Sequence, residues 1–113
     1  MSDDCLFCRI IRGEIPANFV AKTGECVALR DINPQAPTHI VIVPRAHIPT
    51  LSDVKDPLIV GQMTQLAAQL AKSEGIAESG YRVVVNTNRD GGQTVFHLHM
   101  HLLGGRRMGW PPG

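Results

Sequence analysis

Three histidines, His97, His99 and His101, alternate with apolar residues in the segment 96–103, which reads Phe-His-Leu-His-Met-His-Leu-Leu. In an extended strand successive side chains point to opposite faces, so the three imidazoles would share one face while the apolar residues between them enter the core. Side chains two positions apart on a strand are separated by roughly 6 to 7 Å. Each imidazole can therefore play a different part around one ligand.

Two kinds of chemistry suit this face: three ligands for a metal ion, or a phosphate-centred site with a histidine nucleophile. A strand sets its side chains along a line, whereas a tetrahedral metal usually takes ligands from several segments. A split arrangement, with one end of the trio on a metal and the others facing substrate, is easier to build. Neutral imidazole, with a pKa of about 6.5, is a competent nucleophile at neutral pH, and a neighbouring imidazolium can stabilise a phosphoryl oxygen or protonate a departing group.

A second group of chemically capable residues begins with Cys5 and Cys8, which form a C-x-x-C pattern. This pattern is typical of a metal half-site or of a redox pair, and the redox interpretation is the weaker because no predicted strand leads into it. His39 and His47 flank an apolar segment outside the trio, so a tetrahedral Cys2His2 site is available, with His97 as a further candidate ligand. The alternative is that both cysteines are simply small apolar residues of a short helix.

The charge balance excludes several function classes. The 113-residue chain carries 11 basic and 10 acidic residues, a formal net charge of +1. This balance argues against nucleic-acid binding and against electrostatic recruitment to a membrane. The apolar stretches are short, and residues 1–5 lack the basic start and apolar run of a signal peptide, so we expect a cytoplasmic protein whose three cysteines stay reduced.

An α+β scaffold, formed as one domain over residues 1–113, is expected to position these groups. Helical spacing of apolar residues predicts one long helix over 56–75, with Asp56 as N-cap, Pro57 in the first helical position and Gly75 as the C-terminal stop. Short β-branched segments between Gly and Pro residues predict an antiparallel sheet of about five strands. The expected strands are residues 19–22, 26–31, 39–43, 81–86 and 95–103, with a hairpin turn at 23–25, a short N-terminal helix at 6–12 and a glycine-containing loop at 87–94.

Residues 97–103 match at every position the pattern His-φ-His-φ-His-φ-φ, in which φ is apolar, and on this motif the chain resembles the histidine triad (HIT) superfamily. Four further segments resemble its Hint branch, the histidine triad nucleotide-binding proteins. They are residues 10–16 (Ile-Ile-Arg-Gly-Glu-Ile-Pro), 31–39 (Asp-Ile-Asn-Pro-Gln-Ala-Pro-Thr-His), 90–95 (Asp-Gly-Gly-Gln-Thr-Val) and 110–113 (Trp-Pro-Pro-Gly). The resemblance runs from about residue 5 to the last residue, and it implies the HIT-like fold.

The resemblance also implies a purine nucleoside phosphoramidase. Such a protein is a homodimer whose two sheets join across the interface, and it hydrolyses phosphoramidates such as adenosine phosphoramidate, or aminoacyl-type adenylates. His99 would be the nucleophile that becomes transiently nucleotidylated, His101 would contact the α-phosphate, and His39 would support them. Asp31 would accept hydrogen bonds from the ribose hydroxyls, and the Thr94 hydroxyl would lie near the departing nitrogen. The implied residues for an AMP or GMP type of purine nucleotide are Asp31, Ile32, Asn86, Gly92, Gln93, Thr94, Val95, His99 and His101.

Histidine triad proteins that begin with this C-x-x-C include some that hold a zinc ion, and the resemblance places its ligands at Cys5, Cys8, His47 and His97. Other Hint proteins lack both cysteines and fold without metal. The implied zinc is therefore structural and optional, and no cofactor is needed for the chemistry. Two other functions stay open, namely a dinucleoside polyphosphate hydrolase of the Fhit type that uses the same histidines, and a nucleotide-binding adaptor with little catalysis.

Overall fold

The computed structural model describes residues 4–113 and contains a five-stranded antiparallel sheet with a long helix on one face and a short helix on the other. The strand order is β1-β2-β3-β5-β4. This arrangement confirms the predicted α+β class. The elements in chain order are α1 (Leu6–Ile11), β1 (Phe19–Lys22), β2 (Cys26–Arg30), β3 (Thr38–Pro44), a 3-10 turn (Leu51–Asp53), α2 (Leu58–Ser73), β4 (Tyr81–Val84), α3 (Asn88–Gly91) and β5 (Met100–Gly104).

Two apolar cores lie on opposite sides of the central strands, because successive residues of β2 and β3 point to opposite faces. Ile40 and Ile42 of β3 join the core under α2, whereas Val41 and Val43 join the core under α1. Every residue of β3 is buried, which explains its continuous β-branched sequence. The α1 side carries the chemistry described below.

Helix α2 differs from its predicted bounds at both ends. It begins at Leu58, with Pro57 rather than Asp56 at the N-cap position, and it ends at Ser73. The Asp56 carboxylate still accepts a hydrogen bond from the Leu58 amide at 3.0 Å, so it satisfies one of the free donors of the first turn. Gly75 has φ +77°, a left-handed conformation that stops the helix as predicted. No helix within residues 4–113 is long and apolar enough to cross a bilayer.

The strand predicted over 95–103 is wrong at its first half, since only Met100–Gly104 is paired. The register of β3 with β5 runs from Thr38 opposite Gly104 to Ile42 opposite Met100. Continuing it would bring Leu98 opposite Pro44, which has no N–H to donate. The Pro44 carbonyl instead accepts a hydrogen bond from the His97 ring, so the ladder stops before the triad begins.

The alternation of side chains across this segment nevertheless holds. Leu98, Met100 and Leu102 all enter the core under α2, as predicted. The other departures are smaller: β2 and β4 end one and two residues early, at Arg30 and Val84, and α1 ends at Ile11. The loop predicted at 87–94 contains the single turn of helix α3, which ends at Gly91 with Gly92 as its C-cap.

Candidate active site and metal cluster

A cleft of about 570 Å³ opens on the α1 side of the sheet, between α1, the central strands and the loop that carries α3. It gathers residues from segments that are far apart in the sequence. The predicted site residues that line it are Asp31, Ile32, His39, Asn86, Gly92, Thr94, Val95, His99 and His101.

Gln93 is the predicted nucleotide-binding residue that does not line the cleft. Its side chain is buried, and its Nε2 donates to the carbonyls of Pro49 and Val95 at 2.9 and 3.0 Å. Its Oε1 accepts from the Asn88 amide at 3.0 Å. Gln93 thus holds the loop that presents its neighbours, and the φ of +82° at Gly92, which favours glycine, ends α3 beside it.

His99 faces the cleft with its tautomer fixed by the backbone. Its Nδ1 lies 2.7 Å from the carbonyl oxygen of His97, an acceptor, so Nδ1 carries the proton. Nε2 is then left with its lone pair free. The ring of Phe7 lies 5.0 Å from the His99 ring, centroid to centroid, and the ring of His101 lies 5.1 Å away. The acceptor that orients His99 could not be identified from the sequence, because it is a main-chain atom.

A relay of hydrogen bonds fixes the tautomers of His39 and His101. The Gln35 amide donates to His39 Nδ1 at 3.0 Å, so the proton of a neutral His39 sits on Nε2. That Nε2 lies 2.8 Å from His101 Nδ1 and donates to it. His101 therefore carries its own proton on Nε2, as a hydrogen-bond donor.

Burial keeps both rings of this relay neutral. Burial, together with the nearby His99 and His39, lowers the pKa of His101 to about 4, against a smaller opposing effect of Asp31. Burial also lowers the pKa of His39 although the Asp31 carboxylate opposes it. In the free protein at neutral pH, His101 thus offers a neutral N–H donor rather than the imidazolium considered from the sequence.

Asp31 stands where β2 ends, beside this relay. Its Oδ1 accepts from the Asn33 amide at 2.8 Å, and its Oδ2 lies 3.4 Å from His39 Nε2. A carboxylate has about four lone-pair sites, so acceptor capacity remains toward the cleft. The opposite wall is apolar and was missed as part of the site, because helical and strand spacing indicate burial without saying which cavity a side chain lines. Its residues include Phe7, Ile10, Leu29 and Val41.

His97 is separated from the other two triad histidines. It is completely buried and does not line the cleft; its Nδ1 instead lies 3.1 Å from Cys5 Sγ and 3.4 Å from Cys8 Sγ. His47 Nδ1 lies 3.2 Å from His97 Nδ1 and 3.3 Å from Cys8 Sγ. The structure thus places His97 among potential metal ligands, whereas His99 and His101 line the cleft.

These four side chains, the Cys/His cluster, are Cys5, Cys8, His47 and His97, and their ligand atoms all lie within 4.8 Å of one another. A tetrahedral zinc with Zn–S of about 2.3 Å and Zn–N of about 2.0 Å has ligand-to-ligand edges of roughly 3.3 to 3.6 Å between N and S or N and N atoms. The distances in the cluster fall close to that range, and two thiols with two imidazoles form a known structural zinc set. The residues therefore fit a metal ion.

The tautomer of His97 also suits metal binding. Its Nε2 donates to the Pro44 carbonyl at 2.8 Å, which leaves Nδ1 unprotonated and directed at the two sulfur atoms. Burial lowers the pKa of His97, an effect that the bond to Pro44 opposes and that nearby His47 and His99 reinforce. A neutral ring with a free nitrogen is the form that a metal requires.

A second group of close ligand atoms, from Asp31, His39 and His101, is the relay itself. Since the Gln35 amide occupies His39 Nδ1, the His39 proton must sit on Nε2, the atom that would face a metal. Hydrogen bonding, not metal binding, thus accounts for this group.

Comparison with known proteins gives a consistent result. The HIT domain family model matches residues 12–108. The chain is 52% identical over 111 residues to the purine nucleoside phosphoramidase of Escherichia coli K12. The alignment covers 96% of this chain and 93% of that protein. A HIT family hydrolase structure from Legionella pneumophila superposes with a TM-score of 0.94 at 52% identity, over 97% of this chain and 100% of the other. A histidine triad protein structure from Clostridium difficile has a TM-score of 0.91 at 40% identity, over 95% of each chain.

Proposed function

The chain belongs to the HIT family, and from that premise we propose that it hydrolyses the P–N bond of purine nucleoside phosphoramidates through a covalent intermediate on His99. The observation that carries the proposal is the 2.7 Å hydrogen bond from His99 Nδ1 to the His97 carbonyl. Because this bond keeps the proton on Nδ1, Nε2 has a free lone pair, and the His99 ring lines the cleft. The relative named purine nucleoside phosphoramidase, at 52% identity, supports the choice of substrate class.

The first step forms a bond between His99 Nε2 and phosphorus and breaks the P–N bond. The nitrogen keeps the electron pair of that bond, takes a proton from solvent water and leaves as the amine. His101 assists by donating its Nε2 proton in a hydrogen bond to a phosphoryl oxygen, in the tautomer that His39 enforces. Donors fixed in advance around a developing negative charge are the main source of catalysis in such reactions. Binding of an anionic phosphate beside His101 raises the pKa of that ring and strengthens the bond.

In the second step water attacks the same phosphorus atom and gives up a proton to solvent, while the His99–phosphorus bond breaks. The nucleoside monophosphate is released and the imidazole is restored. Asn86, Gly92, Thr94 and Val95 line the cleft near this reaction. We assign the Thr94 hydroxyl to the departing nitrogen. Aminoacyl adenylates present the same α-phosphate with a carboxylate as the leaving group, and we propose that the same two steps cleave their P–O bond.

The nucleoside occupies the rest of the cleft. Asp31 accepts from the ribose hydroxyls with the lone pairs that Asn33 leaves free, and Ile32 next to it is 99% exposed, available to cover the sugar or base. The apolar wall of Phe7, Ile10, Leu29 and Val41 suits a flat purine ring. Either AMP or GMP type nucleotides fit this chemistry.

We further propose that the Cys/His cluster holds one structural zinc, which would stabilise the packing of α1 against the sheet and take no part in bond breaking. A homodimer with sheets joined at β4 is supported by the position of β4 at the sheet edge, where Tyr81 and Val83 are each 40% exposed. Three buried cysteines that form no disulfide within residues 4–113 support a reducing location such as the cytoplasm.

The test compares substrates and traps the intermediate. We expect kcat/KM for adenosine phosphoramidate to exceed that for diadenosine polyphosphates, and intact-mass spectrometry of an acid-quenched reaction to show one nucleotidyl group on the subunit. Higher activity on the polyphosphates would favour a hydrolase of the Fhit type. Tight AMP binding without turnover of either substrate would favour a nucleotide-binding adaptor.

A further inference from the structure

We propose that the Cys/His cluster is a positioning device for His99, so that metal bound there keeps the nucleophile in its reactive tautomer. This inference rests on the proposed function, and it concerns how the metal acts rather than whether one binds. The argument starts from His97, which has two roles at once. Its ring joins the cluster, with Nδ1 3.1 Å from Cys5 Sγ, while its carbonyl oxygen accepts the Nδ1 proton of His99 at 2.7 Å.

The His97 ring and the His97 carbonyl are separated by a few covalent bonds. A ring held by the metal on one side and by the Pro44 carbonyl on the other side, at 2.8 Å, cannot rotate. Its backbone is fixed in consequence. The carbonyl then stays aimed at His99 Nδ1. Loss of the metal removes one of these two restraints and leaves only the Pro44 contact. With the carbonyl held less firmly, His99 can place its proton on either nitrogen.

A second connection passes through another ligand of the cluster. His47 is followed by Ile48, whose carbonyl accepts the amide of Leu98 at 2.6 Å. Leu98 lies between His97 and His99 in the chain. The segment that carries the nucleophile is therefore attached to the cluster from both sides, and residues 95–99 themselves belong to no strand.

A third connection is Phe7, which lies in α1 between the two cysteines. Its ring is 5.9 Å from the His97 ring and 5.0 Å from the His99 ring, and it also lines the cleft. Anchoring Cys5 and Cys8 to a common ion fixes the residue between them. Phe7 then packs against one side of the His99 imidazole and limits its rotation.

A purely structural metal would behave differently. It would raise the free energy of unfolding and leave the folded molecules unchanged in tautomer and in kcat. A positioning metal changes the folded molecules themselves. The two roles are separated by measuring His99 in protein that is folded but free of metal.

The experiment uses the full chain with 15N-labelled histidine, loaded with one equivalent of Zn²⁺ or treated with a chelator, at a temperature where both forms are folded. Two-bond nitrogen-proton correlation spectra report the tautomer of each histidine. We expect loaded protein to show His99 in the Nδ1–H form alone, and metal-free protein to show both tautomers. For adenosine phosphoramidate we expect kcat to fall about tenfold or more on metal removal, with a smaller change in KM, because misplacement of a catalytic group lowers kcat.

Cys26→Ala is the matched control, since Cys26 is a buried cysteine of the α2 core, outside the cluster. It should keep the metal and the His99 tautomer even if it loses stability. If chelated wild type unfolds, His47→Asn replaces it, because His47 is the one exposed ligand of the cluster and its loss disturbs packing least.

The proposal is overturned if folded, metal-free protein retains a single Nδ1–H tautomer at His99 and keeps kcat within about twofold. Failure of the proposed function would look different. In that case the loaded wild type would not hydrolyse adenosine phosphoramidate at all, while the spectra would still decide whether the metal sets the tautomer.

Discussion

The Nε2 of His39 lies 2.8 Å from the Nδ1 of His101, and the direction of that hydrogen bond determines which nitrogen of His101 faces the substrate. The Gln35 amide bonds to the other His39 nitrogen, so His39 must donate and His101 must accept. The Gln35 amide thereby determines, through His39, which nitrogen of His101 carries the proton. His39 acts through His101 and is a positioning residue.

His39→Ala removes the donor and frees His101 to adopt either tautomer. We expect kcat to fall about tenfold to a hundredfold. In the molecules whose His101 adopts the other tautomer, the Nε2–H donor to the phosphoryl oxygens is absent. His39→Gln is the matched control, since its amide can still donate to His101 and should restore most of the rate. Equal losses in both variants would show that His39 contributes packing rather than proton placement. Steady-state kinetics with adenosine phosphoramidate gives the comparison.

The lowered pKa of His101 predicts an acid-sensitive fold. The folded-state pKa is about 4, whereas an unfolded histidine titrates near 6.5, at about its ordinary value. Between these values the unfolded chain binds the extra proton, so the free energy of unfolding falls as pH is lowered through this window, by at most about 1.4 kcal/mol per pH unit for this group. Above the window the group has no effect.

His101→Gln removes this titration while leaving an amide that can accept from His39. Urea unfolding at about pH 7, 6 and 5 should show a steeper loss of stability for wild type than for the variant. His39 and His97 also have lowered pKa values but are present in both proteins, so only their coupling to position 101 enters the difference. Parallel curves would mean that His101 is not desolvated as the structure indicates.

Replacing the nucleophile gives the most direct test of the chemistry. His99→Ala should lower kcat by about a thousandfold or more, because no other imidazole with a free nitrogen faces the same position. Folding and AMP affinity should be nearly unchanged, since a half-buried ring contributes little buried apolar area. Turnover within about tenfold of wild type would remove His99 from the nucleophile role. Calorimetric titration with AMP confirms that the binding site is intact.

The sequence predicted the elements and most of the cleft because both follow from periodicity and motif. Alternation correctly assigned Leu98, Met100 and Leu102 to one core, although the strand itself begins only at Met100. Two features were out of reach for a physical reason. The strand limit depends on which residue of β3 lies opposite, here Pro44, and the His99 tautomer depends on a backbone carbonyl. Neither the start of the strand nor the tautomer can be inferred from the local pattern of residue types.

Asp31 offers a test of the sugar contact. Asp31→Asn keeps a side-chain oxygen for the Asn33 amide, so the turn should survive. It loses the charge that strengthens hydrogen bonds from ribose hydroxyls, and we expect AMP to bind about tenfold more weakly. The matched comparison is 2′,3′-dideoxy-AMP, for which wild type and variant should differ by about twofold at most. A loss that is equal for both nucleotides would place Asp31 away from the ribose.

Gly104, at the end of β5, lies in close approach to the Ile76 side chain. A Cβ at position 104 would lie 2.5 Å from Ile76 Cδ1 and 3.1 Å from Ile76 Cβ, too close to be accommodated without movement. Gly104→Ala should therefore destabilise the fold by about 1 to 3 kcal/mol, the usual cost of overpacking. Ile76→Val removes the nearer atom, so the double variant should be more stable than the sum of the two single effects predicts. Gly24→Ala is the control, because nothing lies within 4 Å of a Cβ placed there and its φ is outside the left-handed region. It should change stability by about 0.5 kcal/mol or less. Strict additivity in urea unfolding would show that Gly104 is limited by its backbone and not by contact with Ile76.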